Sequence, residues 1–462
     1  MIAADRSRLP AIGPDPAFRF PRIVRHRMAN GLQVRTIEQP GLPIVTFVLQ
    51  VEGGSGADPA SLEGLAALTA DMVDEGTGSL SAIDVSDALA RIGGDYGADV
   101  GADATSFMLT TMTRFAGRGA TLLADIVTRP SLARADFDRV RQLRLDRLTQ
   151  LKDLPPAVAE RAFLRLVYAD HPYGHLSIGT DAALRRVSLE DVAAFHAAAL
   201  RPSRATLVVA GAMGHDDLVY LAQQAFGGWA GAGRAGGAGE VGRAAASLEP
   251  PAAGSARLAI VARDGAAQSE LRIGLLAARR DTPDYAALLV MNAVLGGQFV
   301  SRIMLKLREE KGLTYGARTG FDWRRGLAPF TVQTSVRSAA TAEAIRDVIN
   351  EIEDLRGSRP PTGQEMSLAK ASLTRGYPRN FETVPQVARA VAQLSLYGLP
   401  DTYFEEFIPK VHAVEAADVT RVARQYLDPS RLTTLIVGDH AAIGSSLSAL
   451  GLGEPQVLPA TE

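Results

Sequence analysis

The chain contains no cysteine, so it can form neither a disulfide nor a thiolate metal site. It also lacks an excess of charge of either sign, because 49 Lys and Arg residues face 51 Asp and Glu residues. This balance argues against nucleic acid or an anionic membrane surface as a partner. Hydrophobic residues make up 47% of the 462 residues and charged ones 22%, which is typical of a folded globular protein of two or more domains.

Long apolar segments are missing as well. The longest run, 286–295, is interrupted by Asn292 and is far shorter than the roughly 20 residues of a membrane span. The N-terminal segment carries Asp5, Arg6 and Arg8 and has no apolar core of a signal peptide. We therefore expect a cytoplasmic protein, and a periplasmic origin stays open if a leader has been removed.

An internal repeat divides the chain. Residues 187–211 align without a gap with residues 414–438, at an offset of 414 − 187 = 227. In both copies a helical apolar spacing is followed by Pro-Ser-Arg and then by a β-rich run. This pattern predicts two tandem homologous α+β domains, each a mainly antiparallel sheet covered by helices.

The domain boundaries follow from composition. Residues 227–253 are rich in Gly and Ala and lack hydrophobic periodicity, which predicts a linker. The predicted domains are therefore 18–226 and 254–450. Within them, apolar patterns predict strands at 45–51, 207–210, 259–261 and 434–437, and helices at 62–74, 137–152, 285–295 and 342–355.

A helix near the start of the first domain carries the most informative pattern. Leu65, Leu68, Thr69, Met72 and Val73 recur at helical spacing and are expected to face the core. The whole segment 64–78, GLAALTADMVDEGTG, resembles the zinc-binding helix of the pitrilysin/insulinase/mitochondrial processing peptidase family, typically G-L-A-H-x-x-E-H-M-x-x-x-G-T.

The ligands of that motif are absent. Ala67, Ala70 and Asp71 stand where the family has His, Glu and His. By the same resemblance, a third ligand, Glu, lies 76 residues further on, and 71 + 76 = 147 is Arg147 here. Alanine has no lone pair, a guanidinium has no acceptor, and one carboxylate cannot hold zinc alone.

The charged residues around this helix have a simpler interpretation. Asp71, Asp74 and Glu75 are read as a solvated acidic helix end in preference to a weak cation site. The arginines of the later helix, Arg139, Arg144 and Arg147, are in that interpretation a solvated face.

No other metal or nucleophile motif stands out. Among the seven histidines only His171 and His175 are close in sequence, and Pro172 and Gly174 place them in a turn. The H-P-Y-G string also matches a segment of the same family that binds no metal. A Ser/His/Asp triad stays open, because its members meet only in space, but no G-x-S-x-G elbow supports one.

The second half carries another motif. Residues 296–316, GGQFVSRIMLKLREEKGLTYG, predict a helix over 300–311, Gly312 at its C-terminal cap and a strand starting at 313–317. From these residues alone, Arg308 would interact with the helix dipole and Tyr315 would be a half-buried strand aromatic. The string resembles the family pattern G-G-x-x-x-S-R-L-x-x-x-L-R-E-x-x-G-L-x-Y. The resemblance implies that Arg308 holds a substrate carbonyl and that Tyr315 donates to the oxyanion at a zinc site supplied by another chain.

The resemblance implies the non-catalytic subunit of a heterodimeric zinc metallopeptidase that cuts unfolded peptides. Such a chain holds no cofactor of its own, its zinc belongs to a homologous partner, and peptides are its substrates. Three alternatives remain: an assembly or scaffold protein, a peptide-binding protein without a role in cleavage, and a self-sufficient hydrolase with an unrecognised site.

Overall fold

The computed structural model describes residues 18–230 and 257–459. The first range contains one six-stranded sheet, a small two-stranded sheet and eight α-helices. Its strands are β1 (Ile23–Arg27), β2 (Gln33–Glu38), β3 (Ile44–Glu52), β4 (Gly76–Thr77), β5 (Leu80–Ser81), β6 (Asp95–Val100), β7 (Ala104–Met112) and β8 (Ala205–Gly211). Its helices are α1 (Leu65–Met72), α2 (Ala82–Arg91), α3 (Ala116–Thr128), α4 (Arg134–Lys152), α5 (Pro155–Tyr168), α6 (Asp181–Arg186), α7 (Leu189–Ala199) and α8 (His215–Phe226).

The second range contains another six-stranded sheet and eight more α-helices. Its strands are β9 (Leu258–Ala262), β10 (Gln268–Leu276), β11 (Ala317–Phe321), β12 (Pro329–Arg337), β13 (Thr433–Gly438) and β14 (Gln456–Leu458). Its helices are α9 (Tyr285–Leu295), α10 (Arg302–Met304), α11 (Thr341–Glu353), α12 (Gly363–Thr374), α13 (Val384–Tyr397), α14 (Tyr403–Ala413), α15 (Ala416–Tyr426) and α16 (His440–Leu447).

The two large sheets repeat one topology. The first has the order β1-β2-β8-β3-β7-β6, and the second, counted from β14, has the order β14-β9-β13-β10-β12-β11. In each, the central strand (β8 or β13) runs parallel to one neighbour and antiparallel to the other. Only the outermost strands differ, since β1 is antiparallel to β2 whereas β14 is parallel to β9. The predicted α+β fold with two similar, mainly antiparallel sheets is confirmed.

The repeat found in the sequence is also a structural repeat. Adding 227 to the bounds of α7 gives those of α15, and both helices lead through a Pro-Ser-Arg turn into a fully buried central strand. Each central strand is rich in β-branched and aliphatic residues, as expected where both faces of a sheet are covered.

The two halves exchange a helix. Helix α5 of the first half packs on β10 and β13, where Phe163 and Leu164 join Val261 and Leu435 in one buried cluster. Helix α13, the counterpart of α5 in the repeat, packs on β3 and β8 of the first half. The contact with α5 is close, because a Cβ added at Gly274 would lie 3.0 Å from the Phe163 ring and 2.0 Å from the Phe330 carbonyl oxygen. Each sheet therefore depends on the other half for one of its covered faces.

The predicted linker, 227–253, lies mostly outside the described residues. Of its described part, Trp229 is buried and packs against Phe226, and the carbonyl oxygens of both residues accept hydrogen bonds from Asn30. At the other end, β14 lies beyond residue 450 and extends the second sheet. The domain boundaries 18–226 and 254–450 stay a prediction.

If α5 covers the second sheet, truncating its buried side chains should destabilise the protein. Phe163→Ala, at a side chain that is 1% exposed, should lower the free energy of unfolding by about 3–5 kcal/mol. Leu143→Ala, at an exposed position of α4, should change it by less than about 0.5 kcal/mol. Guanidinium unfolding followed by circular dichroism measures both. A Phe163→Ala protein as stable as the Leu143→Ala control would contradict the role given to α5.

Candidate functional site

The start of α1 is fixed by one buried carboxylate. Asp58 accepts hydrogen bonds of 2.7 Å from the backbone N–H groups of Gly64 and Ala66, and its Oδ2 lies 3.0 Å from Nε2 of His175. These contacts satisfy N–H groups that a helix N-terminus leaves without partners. His175 is thus a helix-positioning residue.

The core face predicted for α1 is confirmed. Leu65, Leu68, Thr69, Met72 and Val73 are all at most 1% exposed. The methyl side chains at the first two positions of the family motif are buried too: Ala67 is 5% exposed and Ala70 is 2% exposed. A wall without lone pairs therefore stands where the family motif has a ligand and a base.

At the third position, Asp71, an ion pair is found. Its Oδ2 lies 2.5 Å from Nη1 of Arg144 on α4, and Arg144 also donates a 2.8 Å hydrogen bond to the Ser177 carbonyl oxygen. The Arg144 side chain is only 11% exposed. A second pair joins Glu75, in the bend that follows α1, to Arg139 of α4. Asp71 and Arg139 are exposed, as the interpretation of solvated faces expects. Their partners Arg144 and Glu75 depart from it, since only 11% and 20% of their side chains are exposed.

Arg147 behaves as that interpretation expects. It is exposed and donates a 3.2 Å hydrogen bond to Gln150 on its own helix. The position that matches the family's third ligand thus carries a cation that takes no part in the ion pairs of Asp71 and Glu75. Within residues 18–230 and 257–459, no group of three or more His, Asp or Glu side chains is arranged to hold a metal ion.

Asp74 completes the acidic end of α1 and is half-buried. Burial raises its pKa to about 6, and the neighbouring charges of Glu75 and Asp71 act in the same direction. On the adjacent edge strand β6, burial raises the pKa of Tyr96 well above its ordinary value, with Asp74 and Asp71 contributing. The Tyr96 hydroxyl is buried and has no hydrogen-bond partner in the described part of the chain.

The segment with Arg308 forms an unusual helix. Helix α10 continues into a π-helical turn, Leu305–Glu310, and Gly312 follows with a φ of +61°. Arg308 lies in the last turn and Gly312 at the cap, as predicted. π-helical turns are rare, and they occur frequently at functional sites.

The strand predicted to hold Tyr315 begins later. Tyr315 lies in a bend, and β11 starts only at Ala317. The Thr314 hydroxyl forms a local turn here: it accepts from the Gly316 N–H, and its one proton is shared between the carbonyl oxygens of Ser335 at 2.7 Å and Gly316 at 2.9 Å. This local turn competes with strand pairing. The expectation of a half-buried strand aromatic is therefore wrong, since Tyr315 is 91% exposed.

Arg308 is partly exposed, and contacts with neighbouring side chains hold it in place. Its guanidinium carbon is 4.9 Å from the centre of the Phe299 ring, and its Nε is 3.3 Å from a Glu309 carboxylate oxygen. The helix below it is anchored by buried Arg302, which forms a bidentate pair of 2.6 and 2.9 Å with Glu365. Although burial opposes it, this pairing helps to lower the pKa of Glu365 to about 2.

The Gly296-Gly297 turn precedes this segment and is held tightly. Gly296 accepts a hydrogen bond from the N–H of Thr319 on β11, and a Cβ at Gly296 would lie 2.4 Å from the Thr319 methyl group. A Cβ at Gly297 would lie equally close to the Asn292 amide. The two glycines thus allow the turn to pack closely against Thr319 and Asn292.

A cleft of about 670 Å³ lies between the halves, and the sequence did not indicate it. The edge strand β6 and the loop after it form one wall, and Trp323, Arg389 and Tyr397 contribute to the other. Asp103 joins the walls, because it accepts hydrogen bonds from Tyr173 and from the Arg325 N–H. Arg308 and Tyr315 are not among the described residues that line this cleft.

Comparison with known proteins gives these features a context. A family model described as insulinase (peptidase family M16) matches residues 33–181, and one described as peptidase M16 inactive domain matches residues 186–373. Uncharacterised zinc proteases of Mycobacterium tuberculosis and Mycobacterium bovis are each 26% identical over 421 residues, which is 90% of this chain and 93% of theirs.

Solved structures agree on the fold. A peptidase M16 inactive domain from Pseudomonas fluorescens superposes with a TM-score of 0.82 at 24% identity, covering 90% of this chain and 98% of that one. A protease from Helicobacter pylori gives 0.81 at 19% identity, covering 91% and 100%. The chain therefore has the fold of these peptidases, but its helix α1 carries no zinc ligands at the positions of the family motif. The protein belongs to the M16, or insulinase, family of peptidases.

The ion pair at Asp71 can be tested by mutation. Asp71→Asn leaves the mostly buried Arg144 guanidinium without its charged partner, so the free energy of unfolding should fall by about 1–3 kcal/mol. Asp87→Asn removes one partner of an exposed pair with Arg91 and should cost less than about 0.5 kcal/mol. Denaturant unfolding compares the two. Equal, small effects would mean that the Asp71–Arg144 pair contributes nothing beyond an ordinary surface pair.

Asp74 predicts a pH dependence. Because its folded pKa is raised from 3.8 to about 6, the folded state holds the proton more tightly, and stability falls as pH rises through that window. Asp74→Asn should therefore stabilise the protein at pH 7, by about 1 kcal/mol once partial exposure is allowed for, and the gain should vanish below pH 3.8. Thermal melts across pH measure it, with Asp87→Asn as control. A gain that persists at pH 3 would exclude this origin.

Proposed function

We propose that this protein is the non-catalytic subunit of a two-chain zinc metallopeptidase. In this proposal a homologous partner holds the zinc and this chain contributes Arg308 and Tyr315 to the partner's active site. One combination of features carries the idea: the helix that would hold the metal has Ala67, Ala70 and Asp71 at the ligand and base positions, whereas the Arg–Tyr pair is kept and exposed. We expect unfolded peptides as substrates.

The chemistry of the two side chains fits a role in peptide hydrolysis. The zinc of the partner would supply the Lewis acid that activates the attack on a peptide carbonyl. The Arg308 guanidinium offers several N–H donors in a fixed fork and would hold a carbonyl oxygen of the substrate. The Tyr315 hydroxyl, which has no hydrogen-bond partner in the described structure, would donate to the oxyanion as negative charge develops there.

The exposed apolar side chains around this pair favour a surface on which a partner docks. Phe299, Val300 and Leu305 are each exposed by at least 43%, in the same short segment that presents Arg308 and Tyr315. Apolar side chains that cluster at a polar functional group are typical of interaction sites. A partner that docks there would also exclude water from the pair, and this would strengthen its electrostatic effect.

The name zinc protease, given to relatives over nearly their whole length, is compatible with this division of labour. The partner, its zinc and the peptide substrate belong to the proposal, as does a cytoplasmic location. No helix in the described ranges is long and apolar enough to cross a membrane.

The decisive experiment is reconstitution with an H-x-x-E-H homologue that co-purifies from the native source. Arg308→Ala and Tyr315→Phe should each lower kcat of the assembled pair by about 100-fold to 1000-fold, the usual effect of removing one oxyanion donor. Size-exclusion chromatography should show that the pair still assembles. Arg91→Ala and Tyr220→Phe remove the same groups from exposed positions on α2 and α8 and should leave kcat unchanged.

Each alternative has its own outcome. Full activity of both variants would refute the contribution in trans and favour an assembly or scaffold role. Measurable affinity of the isolated chain for unfolded peptides, without a co-purifying homologue, would favour a peptide-binding protein. Chelator-resistant peptidase activity of the pure chain would support a self-sufficient hydrolase with another site.

A further inference from the structure

Two arginines face each other at the edge of the first sheet. Arg25 of β1 is paired directly opposite Arg35 of β2, so both side chains project from the same face. Like charges in this position destabilise a sheet unless they are compensated. The carboxylate between them is Asp401, which lies in the turn between α13 and α14 and thus belongs to the other half of the chain.

Asp401 pairs closely with Arg25 and only weakly with Arg35. Arg25 binds both of its oxygens, with distances of 2.9 Å from Nε and 2.7 Å from Nη2. Arg35 reaches it only at 3.5 Å, the limit of a hydrogen bond, although the Arg35 side chain is only 9% exposed. Burial lowers the pKa of Arg35, and the charge of Arg25 acts in the same direction against that of Asp401. A mostly buried cation is therefore only weakly paired.

A third cation extends the group. Arg27 lies two residues beyond Arg25 on the same face of β1, is exposed, and has no ion pair within the described residues. In an antiparallel pair, Arg27 is a diagonal neighbour of Arg35 at about 7–8 Å. Arg25, Arg35 and Asp401 leave a net charge of 2 − 1 = +1, and Arg27, which lies beside them, raises the local net charge to +2.

The group borders an open notch of about 700 Å³, lined by Arg25, Arg35 and the turn 398–401. We propose that this notch binds a phosphate group, free or as a monoester. Phosphate carries a charge of about −1.5 to −2 at pH 7, which matches the local surplus, and its oxygens fit the paired donors of guanidinium forks. A carboxylate, in contrast, is already present as Asp401 and neutralises only one of the three cations.

The notch lies where the two halves of the chain meet, so a bound ligand would contact both of them. Arg25 and Arg35 belong to the first sheet, whereas Asp401 follows α13, the helix that the second half contributes to that sheet. Bound phosphate shares the two arginines with Asp401 and compensates the charge that Asp401 leaves unpaired. The site is separate from α1 and from Arg308, so it does not depend on the function proposed above.

Isothermal titration of the full chain at low ionic strength, with inorganic phosphate in one arm and glycerol 3-phosphate in the other, tests the proposal. Arg25→Gln, at a side chain that is 55% exposed, should weaken binding at least about tenfold. Asp401→Asn removes the competing carboxylate and should tighten binding several-fold. Arg185→Gln is the matched control, because Arg185 forms a similar bidentate pair with Asp181 on an exposed helix and should bind as wild type does.

The outcomes separate the possible sources. Tighter binding of the monoester assigns the site to a phosphate ester, and equal binding assigns it to the free anion. Phosphate affinity that is the same in wild type, Arg25→Gln and Asp401→Asn overturns the proposal. A rise in melting temperature that phosphate produces equally in wild type and Arg25→Gln also counts against it, because excluded salts stabilise every folded variant in that way.

Discussion

The exchange of α5 and α13 between the halves is the constraint on which the rest of the structure depends. A sheet with one uncovered apolar face is not stable in water, and here each half covers that face of the other. The exchange also brings β6 and its following loop against Trp323 and Tyr397, which creates the cleft, and it places Asp401 beside Arg25 and Arg35. The cleft and the position of Asp401 beside the two arginines thus both follow from the exchange of the helices that cover the sheets.

Helix α1 is held to its neighbour α4 by ion pairs. In a zinc site, one ion draws ligands from two helices into a single point. Here the pairs Asp71–Arg144 and Glu75–Arg139 join α1 and the bend after it to α4 at two separate points. Ala67 and Ala70 are buried. Ion pairs tolerate distance and angle better than metal ligation does, so they can hold the helix without reproducing the geometry that catalysis requires.

Local patterns in the sequence predicted much of the fold, and non-local contacts explain most of what they missed. The repeat offset of 227 predicted two similar halves, and apolar spacing identified the buried face of α1. The exchange of α5 and α13 has no local signal, because any apolar helix face fits any apolar sheet. Arg144 and Arg147 are both polar residues on one helix, and only the position of Asp71 distinguishes them. Tyr315 was expected on the strand, but a local turn at Thr314 delays the start of β11 to Ala317.

The exchanged helices also have a consequence for synthesis in the cell. Strand β8 ends at Gly211, and α13 ends at Tyr397, which is 397 − 211 = 186 residues later. At translation rates of about 5–20 residues per second, the first sheet waits about 10–40 s for the helix that covers it. During that interval, apolar residues of β3 and β8 such as Val48 and Val208 face solvent on the ribosome. The first sheet can therefore complete its core only after the second half has emerged.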